Sequence, residues 1–458
     1  MKNGPDYPIE MKSHNFCIEG IGEWEISVPK TVYPPREDSE LLGSVISIFE
    51  GRIGSALEIG CGSGAISILL AKLGWKVTSC DINPYAVAAT KANLENAGLS
   101  ENTLVIEAGV GFDLEIPEDV TLIVWNLPYL DPETTNDFEP VEGASMFDTE
   151  EGWGNALHTE LSNQKWGLNQ DSLVILLFRT DPISCSSPKY WRSRGWSTRS
   201  VASIRIGGER LEVFAMWRPG WDEGPVIIEE CESTMDEFSL VEGKKWGRII
   251  AKRQNSGRGR RGSVWNSSED DLAASWVIDP GTIEWITPGI LQTSIGAIVA
   301  EALGAYLKWP NDIISADGRK MGGILVETSS GDPMRIGIGL NKSDSKKSQD
   351  GIWKSGWNET LGDVGAREVF CLIDASISSF FEDRGFFKMP TNREMAEMSW
   401  KEMSKLISRG CSVEVEGVES RVVGLKMDGA IELLGEDGAF VIGDLDKVKW
   451  SFRGHECR

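Results

Sequence analysis

Glu58-Ile59-Gly60-Cys61-Gly62-Ser63-Gly64 follows the apolar pair Ala56-Leu57 and runs straight into a helical pattern, Ala65 to Leu73. Glycines let a backbone pass close to a ligand, and the N-terminus of a helix offers unpaired N–H groups. Outward from this loop the chain alternates short apolar runs with helical ones. Lys76 to Cys80, Leu104 to Ile106, Leu122 to Trp125, Leu173 to Phe178 and Arg210 to Trp217 read as strands, and Pro84 to Ala97 as a second helix. That rhythm predicts an α/β domain with a parallel, Rossmann-like sheet. Asp81 closes the second strand, placed to accept hydrogen bonds from ribose hydroxyls. A glycine loop with such an acid serves several nucleotide-like ligands and does not choose among them.

The choice falls to Trp125-Asn126-Leu127-Pro128-Tyr129, after the fourth strand. Tyr33-Pro34-Pro35-Arg36-Glu37-Asp38-Ser39 lies ahead of the glycine loop and Asp81-Ile82-Asn83-Pro84-Tyr85-Ala86-Val87 beyond it. Together these segments resemble the HemK-like methyltransferases over most of residues 31–217. The resemblance implies a class I methyltransferase fold, with S-adenosylmethionine held by Glu58, Gly60, Gly62, Gly64, Asp81 and Asn126. It also implies catalytic roles for Asn126 and Tyr129. An amide or exocyclic amine nitrogen is a poor nucleophile because its lone pair is delocalised. Carbonyls from Asn126 and Leu127 would hold its two N–H groups and turn the lone pair toward the methyl sulfonium, with Tyr129 packed on the planar group.

Two positions depart from the family pattern. Leu127 stands where the pattern has its first proline, a form shared with ribosomal RNA adenine dimethyltransferases. Ala108 stands where many relatives carry an acid near the adenine, which leaves Glu107 or a backbone group for that place. The implied acceptor is a glutamine in a peptide-chain release factor. The alternatives are an adenine of ribosomal RNA, or an inactive half that only binds a partner. Residues 101–150 hold 13 Asp or Glu and no Lys or Arg, a balance that repels RNA and attracts a basic protein surface.

Arg218-Pro219-Gly220-Trp221-Asp222-Glu223-Gly224-Pro225 is a turn-rich break, and Val226 to Ile228 opens an α+β pattern beyond it. There, Gly257-Arg258-Gly259-Arg260-Arg261-Gly262 is closed by Trp265. Its glycines allow a loop to fold over a ligand, and its guanidinium forks match phosphate. Alone, such a string reads as a basic surface loop. Its company changes the reading. Upstream sit Glu232-Ser233-Thr234 and Gln254. Downstream come Lys308-Trp309-Pro310-Asn311-Asp312, then Lys320-Met321-Gly322-Gly323-Ile324-Leu325-Val326-Glu327, then Gly337-Ile338-Gly339-Leu340-Asn341.

This ordered set resembles the biotin protein ligases over roughly residues 226–345, and glycine-punctuated strands from about Ile407 resemble their small C-terminal β-barrel. The resemblance implies biotin contacts from Ser233, Thr234, Gln254, Arg258, Gly322 and Gly323. ATP and the adenylate would meet Gly257, Arg258, Gly259, Arg260, Arg261, Gly262, Trp265, Lys308 and Asn311. Lys320 and Arg260 would act in catalysis, and Asn311 with Asp312 would hold magnesium. The implied product is biotinyl-adenylate, then biotin on a lysine of a carboxyl carrier domain. Ser263 stands where many relatives carry another arginine, and no helix-turn-helix pattern precedes the ligase motifs, so a DNA-binding repressor role has no support.

At 458 residues the chain exceeds one ordinary core, and the motifs divide it into expected domains at 1–221, 222–404 and 405–458. A net charge of −24 argues against non-specific nucleic-acid binding. Eight scattered Cys without a C-x-x-C pair, and three His, offer a zinc site few ligands and suit reduced thiols in the cytosol. The first residues lack an apolar signal-peptide core. The most apolar long stretch, Ile286 to Leu307, is broken by Pro288, Gln292 and Glu301 and reads as a core helix.

Overall fold

The protein, analysed as a computed structural model, is described at residues 10–130, 146–162, 172–259, 264–265, 267–278, 286–328, 333–343, 354–444 and 447–451. Two compact units divide the chain, the first essentially residues 1–192 and 196–221, the second 222–384 and 388–458.

The first unit opens with a hairpin that the sequence reading did not foresee, β1 Met11–Ile18 paired antiparallel with β2 Gly22–Pro29. After α1 Glu37–Ile46 come β3 Ser55–Ile59, α2 Ala65–Lys72, β4 Lys76–Asp81, α3 Pro84–Asn96, β5 Thr103–Glu107 and β6 Val120–Asn126. The helix Trp153–Ser162 precedes β7 Leu173–Asp181, β8 Ser197–Ile206 and β9 Glu209–Trp217. The seven strands order as β5-β4-β3-β6-β7-β9-β8. Pairing is parallel from β5 to β7, while β9 runs antiparallel to both β7 and β8. Strand β3 is fully buried, as befits a strand with neighbours on both sides and helices on its faces. The order turns back between β3 and β6, so a crevice opens at their carboxyl ends.

The second unit contains a seven-stranded sheet ordered β10-β11-β14-β18-β17-β16-β15. Its strands are β10 Val226–Cys231, β11 Trp246–Gln254, β14 Leu272–Ile278, β15 Tyr306–Lys308, β16 Asp312–Ile314, β17 Lys320–Glu327 and β18 Met334–Leu340. A separate ribbon pairs β12 Gly257–Arg258 with β13 Val264–Trp265. The helix Pro288–Leu303 is shorter than the expected Ile286–Leu307, because Gly304 takes a left-handed backbone, φ 62°, and ends it. Tyr306 to Lys308 instead forms an edge strand. Two further helices, Ala366–Phe381 and Asn392–Ile407, share a core with that helix and the sheet. The second is started by a capping box between Thr391 and Glu394.

The C-terminal strands β19 Ser412–Val415, β20 Val418–Leu425, β21 Ile431–Gly435, β22 Gly438–Ile442 and β23 Lys449–Ser451 form an antiparallel sheet. Val413, Ile431, Leu433 and Trp450 from it join the same hydrophobic cluster as the larger sheet. Among the described residues no helix is long and apolar enough to cross a membrane, and Cys17, Cys61, Cys80, Cys231 and Cys411 are free thiols.

Candidate active sites

In the first unit a cavity lies where topology leaves the crevice. Glu58, Gly60, Gly62, Asp81, Ala108, Asn126, Leu127 and Tyr129 line it, together with Val32, Tyr33 and Asp38 from the segment before β3. Gly60, Gly62 and Gly64 all have positive φ, at 66°, 53° and 85°, a backbone that costs an L side chain dearly. Gly64 itself is not in the cavity wall. It caps α2, with Thr90 so close that a β-carbon would meet it at 3.0 Å. The Asp81 carboxylate is anchored by the backbone N–H of Gly62 and of Asn83, each at 2.9 Å. Burial raises its pKa, against those two donors. Glu107 is exposed and absent from the wall, while Ala108, Gly109 and Val110 line it.

Asn126 ends β6 with its amide oriented by a residue 88 positions away. Its Nδ2 donates to Asp38 Oδ2 at 2.9 Å, which leaves Oδ1 buried and, among the described residues, without a partner. A buried acceptor without a donor is costly unless a ligand supplies one. Asp38, 2% exposed, is the functional residue that sequence reasoning passed over. It stood within the quoted Tyr33–Ser39 segment, but nothing local reveals its partner. Tyr33, half-buried, and Tyr129, buried, lie near it, and burial, reinforced by that carboxylate, pushes both phenols well above their ordinary range. Leu127 is buried and packs toward the helix Trp153–Ser162, where it approaches Gly154.

Glu58 lines the cavity, yet its carboxyl is held from behind by the Ser67 hydroxyl and by Ser79 Oγ at 3.1 Å. Burial pushes its pKa up to about 8. Between the ordinary carboxylate value and 8 the folded state therefore binds a proton that the unfolded chain has released, so stability falls as pH rises through that window. Glu58→Gln should flatten this slope. The check is the pH dependence, from 5 to 9, of thermal unfolding of the two chains side by side. Parallel curves for the two proteins would show that Glu58 is ionised throughout.

The second unit places Ser233, Thr234 and Gln254 together, each under a tenth exposed. Gln254 Oε1 accepts from Thr234 N at 2.8 Å and from Thr234 Oγ1 at 3.2 Å, and Thr234 Oγ1 lies 2.6 Å from Ser275 Oγ. Ser233 Oγ is buried with no partner among the described residues. A β-carbon on Gly257 would fall 1.9 Å from Gln254 Nε2 and 2.8 Å from the Trp265 carbonyl oxygen. Gly257→Ala should therefore dislodge Gln254 from Thr234 and cost about 1–3 kcal/mol of stability, measurable by denaturant unfolding. Undiminished stability would show that Gln254 gives way without losing its bonds to Thr234.

Lys320 Nζ lies 2.6 Å from Asp312 Oδ1, and Lys308 Nζ is 3.8 Å from Asp312 Oδ2. Gly323 leaves this corner open, since a β-carbon there would point at Asp312 and Lys320, each 3.8 Å away. Gly322 is required for a different reason: a β-carbon would strike the Gly339 carbonyl at 2.2 Å. Asn311 turns its Nδ2 to the Ile324 carbonyl at 2.9 Å. Asp312 is paired to Lys320 and Asn311 to a backbone carbonyl. Among the described residues no group of three or more His, Cys, Asp or Glu could hold a metal.

Arg258 is bonded to Asp236 and lies 3.3 Å from Glu327, so its guanidinium faces carboxylates. Trp265 packs against Gly339, where a β-carbon would meet its ring at 2.7 Å. Arg260, Arg261 and Gly262 lie outside the described residues; Gly259 lies within them, just after β12.

Comparison with known proteins finds a match for each half of the chain. The family model described as "Methyltransferase domain" matches residues 56–138, and that described as "Biotin/lipoate A/B protein ligase family" matches 227–342. Fold and site thus define a methyltransferase joined to a ligase. Over 213 residues the chain is 36% identical to a putative protein N5-glutamine methyltransferase of Methanocaldococcus jannaschii, covering 44% of this chain and 98% of that protein. It is 30% identical over 237 residues to the bifunctional ligase/repressor BirA of Salmonella typhimurium, covering 47% of this chain and 69% of that one. It is also 30% identical over 112 residues, 22% of this chain, to the biotin–[acetyl-CoA-carboxylase] ligase of Paracoccus denitrificans, of which it spans 45%. The chain belongs to the HemK-like methyltransferases by its first half and to the biotin protein ligases by its second.

Proposed function

We propose that the second unit joins biotin to a lysine of a carboxyl carrier domain by way of biotinyl-adenylate. The observation that carries this reading is the Lys320 ammonium, fixed by Asp312 at 2.6 Å beside an open glycine corner. A biotin carboxylate oxygen would attack the α-phosphorus of ATP, the bond to the bridging oxygen breaks, and pyrophosphate leaves. Negative charge gathers between carboxylate and phosphate, where a prepositioned cation acts most strongly. Ser233 Oγ, Thr234 and Gln254 suit the ureido end of biotin, which offers two N–H donors and one carbonyl. The acceptor amine then attacks the mixed anhydride, AMP leaves, and the amine proton passes to solvent. The Paracoccus relative is named for acetyl-CoA carboxylase, which supports a carrier domain as acceptor. Magnesium belongs, on this reading, to the nucleotide phosphates rather than to a protein cage. Biotin-dependent exchange of pyrophosphate into ATP tests the first step, and intact mass of a carrier domain tests the second.

The first unit, on the same proposal, methylates a glutamine amide of a basic protein, a release factor being the substrate class the relatives support. S-adenosylmethionine supplies an electrophilic methyl group; Gly60, Gly62 and Asp81 would hold it. Asn126 Oδ1, left open because Asp38 takes Nδ2, accepts one N–H of the acceptor amide and presents its lone pair. Tyr129 forms the side of the slot. Labelled cofactor offered separately to a release factor and to ribosomal RNA separates glutamine from adenine, and labelling of neither marks an inactive half.

A further inference from the structure

We infer that Lys354, which belongs to none of the ligase motifs, is a nucleotide-binding residue of the second unit and holds the phosphate chain of ATP as pyrophosphate departs. The inference rests on the ligase reading given above and adds a residue to it.

The placement of Lys354 is fixed by its backbone. It forms a parallel bridge with Lys320 itself. The next residue, Ser355, donates its N–H to the Lys320 carbonyl at 2.9 Å, and Arg319 Nη1 reaches the Lys354 carbonyl at 3.4 Å. Asn341 Nδ2 lies 3.3 Å from the Lys320 carbonyl and 3.2 Å from that of Ser355, clamping the two segments side by side. Residues bridged in this way project neighbouring side chains from one face of a sheet. A second lysine is thereby held next to the one proposed to act on the α-phosphate.

The charge balance of this corner points to an anion. Lys308, Lys320 and Lys354 bring three ammonium groups, and Asp312 is the carboxylate paired with the first two. No ion pair of Lys354 is found among the described residues; its Nζ sits over the Trp265 ring, 5.5 Å from the centroid. A cation–π contact at a partly exposed site is weak beside a charge-assisted bond to phosphate. Trp265 ends β13, and the lysine exchanges its contact with that ring for a phosphate oxygen when the nucleotide enters. Buried Trp265 Nε1, also without a partner among the described residues, marks the same corner as incompletely satisfied. The compact charge of a lysine, without a planar fork, suits a mobile terminal phosphate that must leave.

The test is biotin-dependent ATP–pyrophosphate exchange by the full chain, with KM for ATP and for biotin measured separately. Lys354→Met should raise KM for ATP roughly tenfold, the size of one lost charge-assisted hydrogen bond. KM for biotin should hold, and so should transfer to a carrier domain from biotinyl-adenylate supplied ready-made. Lys354→Arg, which keeps the charge, should recover most of the ATP affinity. An unchanged KM for ATP, equal losses for ATP and biotin, or an arginine variant as impaired as the methionine one would each overturn the inference. If the unaltered chain shows no exchange at all, the underlying ligase reading fails instead.

Discussion

Lys320→Ala is expected to slow biotinyl-adenylate formation by about 10²–10³-fold while biotin itself still binds, because the ammonium acts on charge that exists only as the phosphate is attacked. Ser233, Thr234 and Gln254 form a buried cluster bonded to one another and to Ser275. Lys320 stands at the start of β17 with Asp312 and Lys308. Removing the ammonium leaves Asp312 only the longer pairing with Lys308, at 3.8 Å, next to the incoming triphosphate, which adds to the loss. Asp312→Asn should then cost less than Lys320→Ala, since it frees the lysine without deleting it. Pre-steady-state pyrophosphate release, read beside calorimetric biotin affinity, checks both. Equal losses in rate and biotin affinity for Lys320→Ala would assign the lysine to biotin binding and undo the mechanism.

Asn126→Ala should remove methyl transfer by about 10²-fold or more, the cost of losing the near-attack alignment of a weak nucleophile. Cofactor affinity should scarcely change, because Gly60 and Gly62, in the loop after β3, and the anchored Asp81, at the end of β4, form other parts of the same cavity. Asp38 sharpens the test. Asp38→Ala leaves Asn126 in place but frees its amide to rotate, so methyl transfer should fall by a smaller factor with cofactor affinity again preserved. Were Asp38→Ala to lose cofactor binding as well, the carboxylate would be shaping the cavity and not orienting Asn126. Equilibrium titration with S-adenosylhomocysteine, beside initial rates on a release factor, distinguishes the two.

What the sequence made legible follows from how locally each feature is encoded. The loop Gly60–Gly64 is readable because a run of left-handed backbone needs glycine wherever it occurs. The parallel strands β3 and β6 are readable because their apolar runs are buried on both faces. Asp38 was hidden because its role is a hydrogen bond to a residue 88 positions further on. Glu58 was expected at the cofactor, and its serine partners, which only the packing of α2 on β4 brings together, were not foreseen. The hairpin β1–β2 and strand β8 carry mixed polar and apolar residues with one face exposed, a weaker signal than the buried strands. The end of the helix Pro288–Leu303 was misjudged because apolar residues continue past Gly304 into an edge strand that uses the same core. In the second unit the motif order identified Lys320 and Gln254. The carboxylates that hold Arg258, at positions 236 and 327, became visible only once β10, β12 and β17 were brought together.

The central claim is that one chain carries both activities, and intact-mass spectrometry of its two acceptors tests it most directly. A carboxyl carrier domain and a release factor are incubated together with the full chain, biotin, ATP, magnesium and S-adenosylmethionine. The predicted result is one biotinyl group on a single lysine of the carrier and one methyl group on a glutamine amide of the release factor, the first lost with Lys320→Ala and the second with Asn126→Ala. A carrier domain that gains no biotin, or a release factor left unmodified while ribosomal RNA under the same conditions acquires methyladenine, would contradict it.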